Sequence, residues 1–383
     1  MEKQVKRIGL MTSHASMNFG GLLQAYALKE TIKKLGYECE MVNYKPEVHD
    51  LKKHPLQFVF GRKGFFKKGF YGVTHYKALK ERMQVISSFR KKYYEVDDSS
   101  FFGFDQLPEA CSKYDLLCVG SDQLWNLNQK DNENRAYMLD FEHHCPAISY
   151  AISFGDGLQK KKEMIEASLP LVQAFRSVSV REQEGKDFLA EHGISSEVVL
   201  DPTLMVDPEF WNRFRTKKRI VKGKYILVYG FENASQKYAD LIRAAKKMSE
   251  ILDLPVVNPI MTPDLAYAGF KNYTKCGPLH FLNLVDNAEM VVSNSFHGTI
   301  FSALFGTPFI SIKSDIGSMD PRKVNLLHML NMEFRMYGPD ERWDMNKLLS
   351  DEFDITDRLL SYRKMSLDYL SNAICKGLDP ADE

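Results

Sequence analysis

Apolar and polar positions along this 383-residue chain alternate so as to predict strand, helix and strand from its first residues. Ile8-Gly9-Leu10-Met11 is a short apolar run that predicts a first strand. A polar loop from Thr12 to Gly21 leads into apolar residues at helical spacing from Leu22 to Leu35, stopped by Gly36, and Glu38 to Tyr44 reads as a second strand. The same alternation predicts strands near 116–119, 147–151, 177–180 and 198–200, with helices near 160–173 and 182–191. A second series starts after Asp201-Pro202, with strands at 225–229, 256–258, 289–293 and 309–313 and helices at 235–252, 278–287 and 299–305. Strands that take turns with helices build parallel sheets covered on both faces. The expected fold class is α/β, with two Rossmann-like parallel-sheet domains facing a central cleft beyond the carboxyl ends of their strands.

The expected N-terminal domain covers 1–205 and the C-terminal domain 206–345, with a helical segment at 346–383 packing across both. The break falls within 206–223, where Asp207-Pro208 and the basic run from Arg213 to Arg219 interrupt the alternation. Residues 45–100 form a basic, aromatic insertion in the first domain. Between 45 and 92 the acids are only Glu47, Asp50 and Glu81, and Phe58, Phe60, Phe65, Phe66, Phe70 and Tyr71 lie among many Lys and Arg. Such a composition suits a solvated helical insertion whose aromatics pack on their own domain, and less readily peripheral contact with an anionic membrane.

A net charge of +1 offers no overall attraction to nucleic acid, so any charged partner must be met by a local patch. The six cysteines show no CxxC pair and read as reduced core thiols. The apolar run after the basic N-terminus is far too short for a leader or a membrane span, and a cytoplasmic protein is expected.

Four polar clusters each follow an apolar strand pattern: Thr12-Ser13-His14 to Asn18-Phe19-Gly20-Gly21, Gly120-Ser121-Asp122-Gln123-Leu124-Trp125-Asn126, Ser153-Phe154-Gly155-Asp156, and Ser293-Asn294-Ser295-Phe296-His297-Gly298-Thr299. Parallel strands all end on one side, so these loops are expected to converge. Gly20 and Gly21 allow close backbone approach to an anionic or sugar ligand, or tight helix packing. Trp125 with Ser121 and Asn126 suits a sugar, an aromatic face against the ring and short polar groups against hydroxyls. Asp122 is a candidate general base or an N-cap, and Asp156 allows the same two readings. Arg181, at the end of a strand, suits a carboxylate or phosphate, or a salt bridge to Glu182 or Glu184. His297, at the start of a helix with Gly298 and Thr299, joins a titratable ring to a dipole that favours anions. No zinc-hydrolase, P-loop or esterase motif is present, and no ligand-spaced cluster calls for a metal.

In order, Asn18-Phe19-Gly20-Gly21-Leu22-Leu23-Gln24, Gly120-Ser121-Asp122-Gln123-Leu124-Trp125-Asn126, Ser153-Phe154-Gly155, Ser179-Val180-Arg181-Glu182, Asp201-Pro202-Thr203-Leu204 and Ser295-Phe296-His297-Gly298 resemble the polysaccharide pyruvyl transferase family, over about residues 8–330. The resemblance implies a GT-B-like fold and transfer of pyruvate from phosphoenolpyruvate, as co-substrate and without a cofactor, onto two hydroxyls of a hexose. The product is a cyclic ketal on an exopolysaccharide, a capsule or a lipid-linked precursor. It makes His297 the acid and Arg181 a donor-binding residue. Ser295, Gly298, Thr299 and Lys313 complete the expected donor side, Asp122 is the expected base, and Asn18, Gly20, Gly21, Ser121, Trp125, Asn126 and Asp156 form the expected acceptor side. Many family members carry Arg two residues before the motif histidine, where this chain has Ser295, so either Lys313, Arg322 or Lys323 supplies the missing cation or the donor differs from phosphoenolpyruvate. The alternatives are a nucleotide-sugar glycosyltransferase on the same scaffold and a non-catalytic glycan-binding relative.

Overall fold

The computed structural model describes residues 5–46, 75–127, 132–215, 218–231, 238–260, 262–313, 320–350 and 355–379. The chain forms two compact units, Met1–Asp50, Phe89–Val206 and Leu360–Glu383 in the first, Leu51–Ser88 and Asp207–Leu359 in the second.

In the first unit, β1 (Arg7–Met11) leads into α1 (Phe19–Lys34), which returns the chain to β2 (Glu38–Met41). Helix α2 (Tyr76–Phe89) follows, its residues through Ser88 grouping with the second unit. The sheet continues with β3 (Leu116–Asp122), β4 (Ala147–Ile152), β5 (Ser179–Val180), helix α3 (Gln183–Glu191), β6 (Glu197–Val198) and the short helix α4 (Pro202–Met205). All six strands are parallel, in the order β2-β1-β3-β4-β5-β6. β3 and β4 are buried almost throughout, as strands covered on both faces must be, and so read as continuous apolar runs. The chain leaves β1 to one side and reaches β3 on the other, so their following loops diverge and open a crevice at the carboxyl ends.

The second unit repeats the scheme with β7 (Ile226–Tyr229), α5 (Tyr238–Leu252), β8 (Val256–Asn258), β9 (Lys271–Asn272), α6 (Pro278–Asp286), β10 (Met290–Ser293), α7 (Phe296–Phe305), β11 (Phe309–Ile312), α8 (Pro321–Met329) and β12 (Met336–Tyr337). Its parallel order is β12-β11-β10-β7-β8-β9, with the reversal between β7 and β10.

Helix α9 (Thr356–Leu378) belongs to the first unit from Leu360 onward. Arg363 Nε donates to the Leu204 carbonyl at 2.8 Å, and the Ser366 hydroxyl accepts from the Leu200 amide at 2.9 Å. Near its end a Cβ on Gly377 would stand 2.6 Å from Leu116, so the helix can lie this close to β3 only without a side chain there.

The helix expected over 160–173 is three pieces, Gly157–Lys160, Lys162–Glu166 and Leu169–Gln173. Pro170 starts the last of them, because it lacks the amide a continuing helix needs. Strands β9 and β12 escape the sequence pattern because two residues carry no periodicity. α7 begins at Phe296, three residues before the expected start at 299, which moves His297 from loop to helix.

Most of the basic insertion, including the aromatic stretch 58–71 on which the membrane reading rests, lies outside the described residues. Where the insertion is described, a pair of arginines turns inward: Arg82 donates to the Pro259 carbonyl at 2.7 Å, and Arg90 makes two bonds to Asp98 at 2.8 and 2.5 Å. Among the described residues no helix is long and apolar enough to cross a membrane. Cys39, Cys111, Cys118 and Cys276 are buried thiols, whereas Cys375 is exposed, a departure from the expected core placement.

Candidate functional site

At the carboxyl end of β3 the backbone is unusual at two positions, Gly120 and Asp122. Gly120 has φ +141 and a Cβ there would sit 2.0 Å from the Tyr150 carbonyl, so glycine alone lets β3 approach β4 in this way. Asp122 itself has φ 87, in the left-handed region, which costs a non-glycine residue about 1–3 kcal/mol and persists where the surroundings demand it. What holds it is an ion-pair chain. Arg181, just after β5, donates from Nη2 to Asp122 Oδ1 at 2.9 Å and from Nη1 to Asp201 Oδ2 at 2.6 Å. Asp201 caps α4, its Oδ1 accepting from the Thr203 amide at 2.9 Å and the Thr203 hydroxyl at 2.6 Å. The Arg181 and Asp201 side chains are 1% and 0% exposed and that of Asp122 15%. One guanidinium against two carboxylates leaves this cluster at about −1 when both acids are ionised.

Asp122 Oδ2 lies over Gly21, where a Cβ would stand 3.4 Å away. Asn18 caps the helix that Gly20 and Gly21 open, its Oδ1 accepting from their amides at 3.0 and 3.4 Å. Next to this, Glu182 Oε1 accepts from the Ser153 hydroxyl at 2.7 Å and the Phe154 amide at 2.9 Å, tying the loop after β4 to the end of β5. Asn126 donates to Asp156 Oδ1 at 3.0 Å, and Lys160 pairs with the same carboxylate. Burial pushes the Asp156 carboxyl up, but Lys160 and Asn126 outweigh it and leave it below its usual range.

Two acceptor assignments are corrected here. Trp125 is fully buried, donates from Nε1 to the Tyr137 carbonyl at 3.2 Å, and packs against Phe154 and Phe175 with ring centroids 5.6 and 5.7 Å away. Its indole face belongs to the core and offers no platform for a sugar. The Ser121 hydroxyl is spent inside the sheet, donating to the Ala151 carbonyl at 2.7 Å.

In the second unit, the Ser293 hydroxyl donates to the Tyr229 carbonyl at 2.7 Å and accepts from the Ser295 amide at 3.0 Å, locking the carboxyl ends of β7 and β10 together. Asn294 brackets the Phe231 backbone, accepting from its amide and donating to its carbonyl, each at 2.9 Å. Ser295 is the N-cap of α7, and its hydroxyl accepts from the Gly298 amide at 3.4 Å. Its carbonyl accepts from the Thr299 amide and hydroxyl, both at 3.1 Å. A Cβ on Gly298 would stand 2.2 Å from Ser293 Oγ, so the helix start presses on the sheet. The expected anion grip by Ser295, Gly298 and Thr299 is corrected accordingly: their polar groups build the cap.

His297, 3% exposed, sits in the first turn of α7 with the Phe296 ring 5.4 Å away. The Arg322 guanidinium lies 5.4 Å from the centre of that same ring, held by Asp320 through bonds of 2.9 and 2.7 Å. Lys323 is buried and donates to the Ile312 carbonyl at 2.8 Å. Burial pushes its ammonium down to about 8, against the opposing pull of Asp320. Arg322 and Lys323 against Asp320 give about +1 below that pH. Lys313, the third expected stand-in, is paired with Glu341 at 2.5 Å.

The structure thus gathers Asn18, Gly20, Gly21, Asp122 and Arg181 in one place, Asn126 and Asp156 in the adjoining loops, and His297 with Arg322 and Lys323 in the other unit. Asp201, Glu182 and Asp320 were missed as site builders. Asp201 and Asp320 each precede a proline at a helix start, a cap signature that gives no hint of the arginine each one holds. Among the described residues no group of three His, Cys, Asp or Glu side chains is placed to hold a metal ion.

Comparison with known proteins follows the same line. Residues 18–316 match the family model described as polysaccharide pyruvyl transferase. No curated protein matches the chain. Among solved structures, a candidate UDP-N-acetylglucosamine 2-epimerase from Listeria monocytogenes superposes with a TM-score of 0.55 at 10% identity, covering 97% of this chain and 95% of its own. A UDP-GlcNAc 2-epimerase from Methanocaldococcus jannaschii gives a TM-score of 0.49 at 12% identity, covering 95% and 93%. At such identities the first likeness shows a shared fold and nothing of the reaction.

Proposed function

The chain belongs to the polysaccharide pyruvyl transferase family, and on that premise we propose that it transfers pyruvate from phosphoenolpyruvate to two hydroxyls of a hexose, forming a cyclic ketal in a surface polysaccharide or its lipid-linked precursor. The observation that carries the donor half is His297 in the first turn of α7, in the unit where Arg322 and Lys323 outnumber Asp320. Surplus positive charge favours a ligand bearing carboxylate and phosphate, and the positive end of the α7 dipole adds to it although the cap takes up the polar groups of Ser295, Gly298 and Thr299.

In this reading His297 gives a proton to the methylene carbon of the enol while a sugar hydroxyl forms a bond to the neighbouring carbon. Asp122 takes the proton of that hydroxyl. The second hydroxyl then bonds to the same carbon as its bond to the phosphate oxygen breaks, the electron pair leaving with phosphate. Of the two hydroxyl protons, one replaces that given to the methyl group and the other leaves with phosphate.

The test is to incubate the protein with phosphoenolpyruvate and a panel of hexose acceptors, reading phosphate release and the ketal product by mass spectrometry. Calorimetric titration with phosphoenolpyruvate and with nucleotide sugars runs in parallel. Binding of a nucleotide sugar, with no phosphate release from phosphoenolpyruvate for any acceptor, overturns the reading.

A further inference from the structure

Arg181 was expected to grip the donor anion, and its surroundings argue for a different task. Its two terminal nitrogens meet two carboxylates of its own unit, at 2.6 and 2.9 Å, and the three side chains together carry a net negative charge. An anion brought to such a group gains little from the guanidinium and is repelled by the acids. The carboxylates themselves gain a great deal, because the planar fork of arginine fixes direction as well as charge.

The order of support runs outward from Asp122. We infer that Arg181 and Asp201 are positioning residues that aim the Asp122 carboxylate at the acceptor hydroxyl and keep it ready to take a proton, in place of a role in holding the donor; this rests on the pyruvyl transferase reading above. Asp201 is the fixed end. Its Oδ1 is anchored by the Thr203 amide and hydroxyl, and the Leu200 backbone before it is pinned on both sides, its amide by Ser366 at 2.9 Å and its carbonyl by the Tyr150 hydroxyl at 3.0 Å. With Asp201 immobile, the 2.6 Å bond to Nη1 leaves the plane of the guanidinium one orientation, and that plane directs Nη2 to Asp122 Oδ1. The Arg181 amide is held as well, donating to the Ile152 carbonyl at 3.0 Å. Asp122 is the most exposed of the three, at 15%, and turns its Oδ2 toward Gly21 at the opening of α1. A buried anchor, a rigid connector and a partly open carboxylate form the sequence of parts that an oriented base requires.

The experiment uses the full chain as wild type, Arg181→Met, Arg181→Lys and Asp201→Asn, each first checked for intact thermal unfolding. Three quantities are read: phosphoenolpyruvate affinity by calorimetry, kcat against pH, and the pH at which the Asp122 carboxyl carbon titrates by carbon NMR in aspartate-labelled protein. Positioning predicts that Arg181→Met lowers kcat by about a hundredfold or more while phosphoenolpyruvate affinity stays within about twofold. Losing the cation makes the carboxyl easier to protonate, so the acid limb and the NMR titration both move to higher pH by about 1 unit or more. Asp201→Asn removes a neighbouring negative charge and leaves more of the guanidinium's charge to Asp122, so both move to lower pH while kcat falls with the loss of the anchor, and Arg181→Lys restores part of the rate. A tenfold or larger loss of phosphoenolpyruvate affinity in Arg181→Met, with the titration of Asp122 unmoved, overturns the proposal and makes Arg181 a donor clamp. The NMR titration needs no substrate: if phosphoenolpyruvate proves not to be the donor, the transferase reading fails, and an unshifted Asp122 sinks the positioning role separately.

Discussion

At the carboxyl end of the first sheet a guanidinium lies between two carboxylates, Arg181 with Asp122 and Asp201. At the carboxyl end of the second, a carboxylate lies beside a guanidinium and an ammonium, Asp320 with Arg322 and Lys323. The two places are equivalent in the architecture, each in a parallel sheet whose strand order reverses, and each next to a helix capped by a small polar side chain, Asn18 in one and Ser295 in the other. What differs is the sign of the third charge. The comparison teaches that this fold supplies the position and the dipole twice, while a few side chains decide whether the position carries surplus negative or surplus positive charge.

The strongest way to break this contrast is to remove the titratable ring of the second cluster. His297→Ala is expected to lower turnover by about a hundredfold or more with thermal stability kept, read by phosphate release and calorimetry. Turnover near the wild-type level would leave the second unit without its acid. Gly298→Ala comes next, because the added methyl meets Ser293 Oγ at 2.2 Å in a closed junction; a loss of about 1–3 kcal/mol in denaturant unfolding is expected. An unchanged unfolding midpoint would mean that the junction is looser than the geometry describes.

Proton balance gives a finer test. Lys323, pushed by burial from 10.5 to about 8, is charged below that pH and neutral above it, so the second cluster falls from about +1 to 0 as pH rises. Phosphoenolpyruvate affinity measured at constant ionic strength should weaken by up to about tenfold between pH 7 and pH 9, and Lys323→Met should flatten that dependence. An equal slope in the variant would assign the titration elsewhere. The smallest effect is expected at the matching glycine of the first cluster. A Cβ on Gly21 meets Asp122 Oδ2 at 3.4 Å, an ordinary contact, so Gly21→Ala should keep stability and raise the acceptor KM by roughly two- to fivefold through partial cover of that oxygen. A large loss of stability would instead place Gly21 with Gly298 as a packing residue.

Buried runs such as Leu116–Val119 and Met290–Ser293 were legible because strands covered on both faces leave an unbroken apolar signature. The polar clusters after them were legible as strand ends, which is why Asp122, Arg181 and His297 could be singled out. Direction was not legible. Trp125 follows Asp122 by three residues, yet one side chain faces the crevice and the other the core, and the linear pattern of an aromatic among Asp and Asn holds no sign of that turn. Nor was the partner of Arg181. The acids adjacent in sequence, Glu182 and Glu184, were the obvious choices, whereas Glu182 turns to the Ser153 loop and Asp122 and Asp201 arrive from other strands. Contacts between residues 59 and 20 positions apart depend on sheet order, which one sequence carries only indirectly.

Helix α9 adds a consequence for how the molecule is made. Its residues from Leu360 onward complete the first unit, and through Ser366 and Arg363 they brace the segment that ends in Asp201. A ribosome releases the whole second unit before it releases that brace, so the earlier-made core waits, unfinished, for a late arrival. Cutting the chain before Leu360 therefore strikes the earlier-made of the two units, and the aspartate that anchors Arg181 is among the groups that lose their footing.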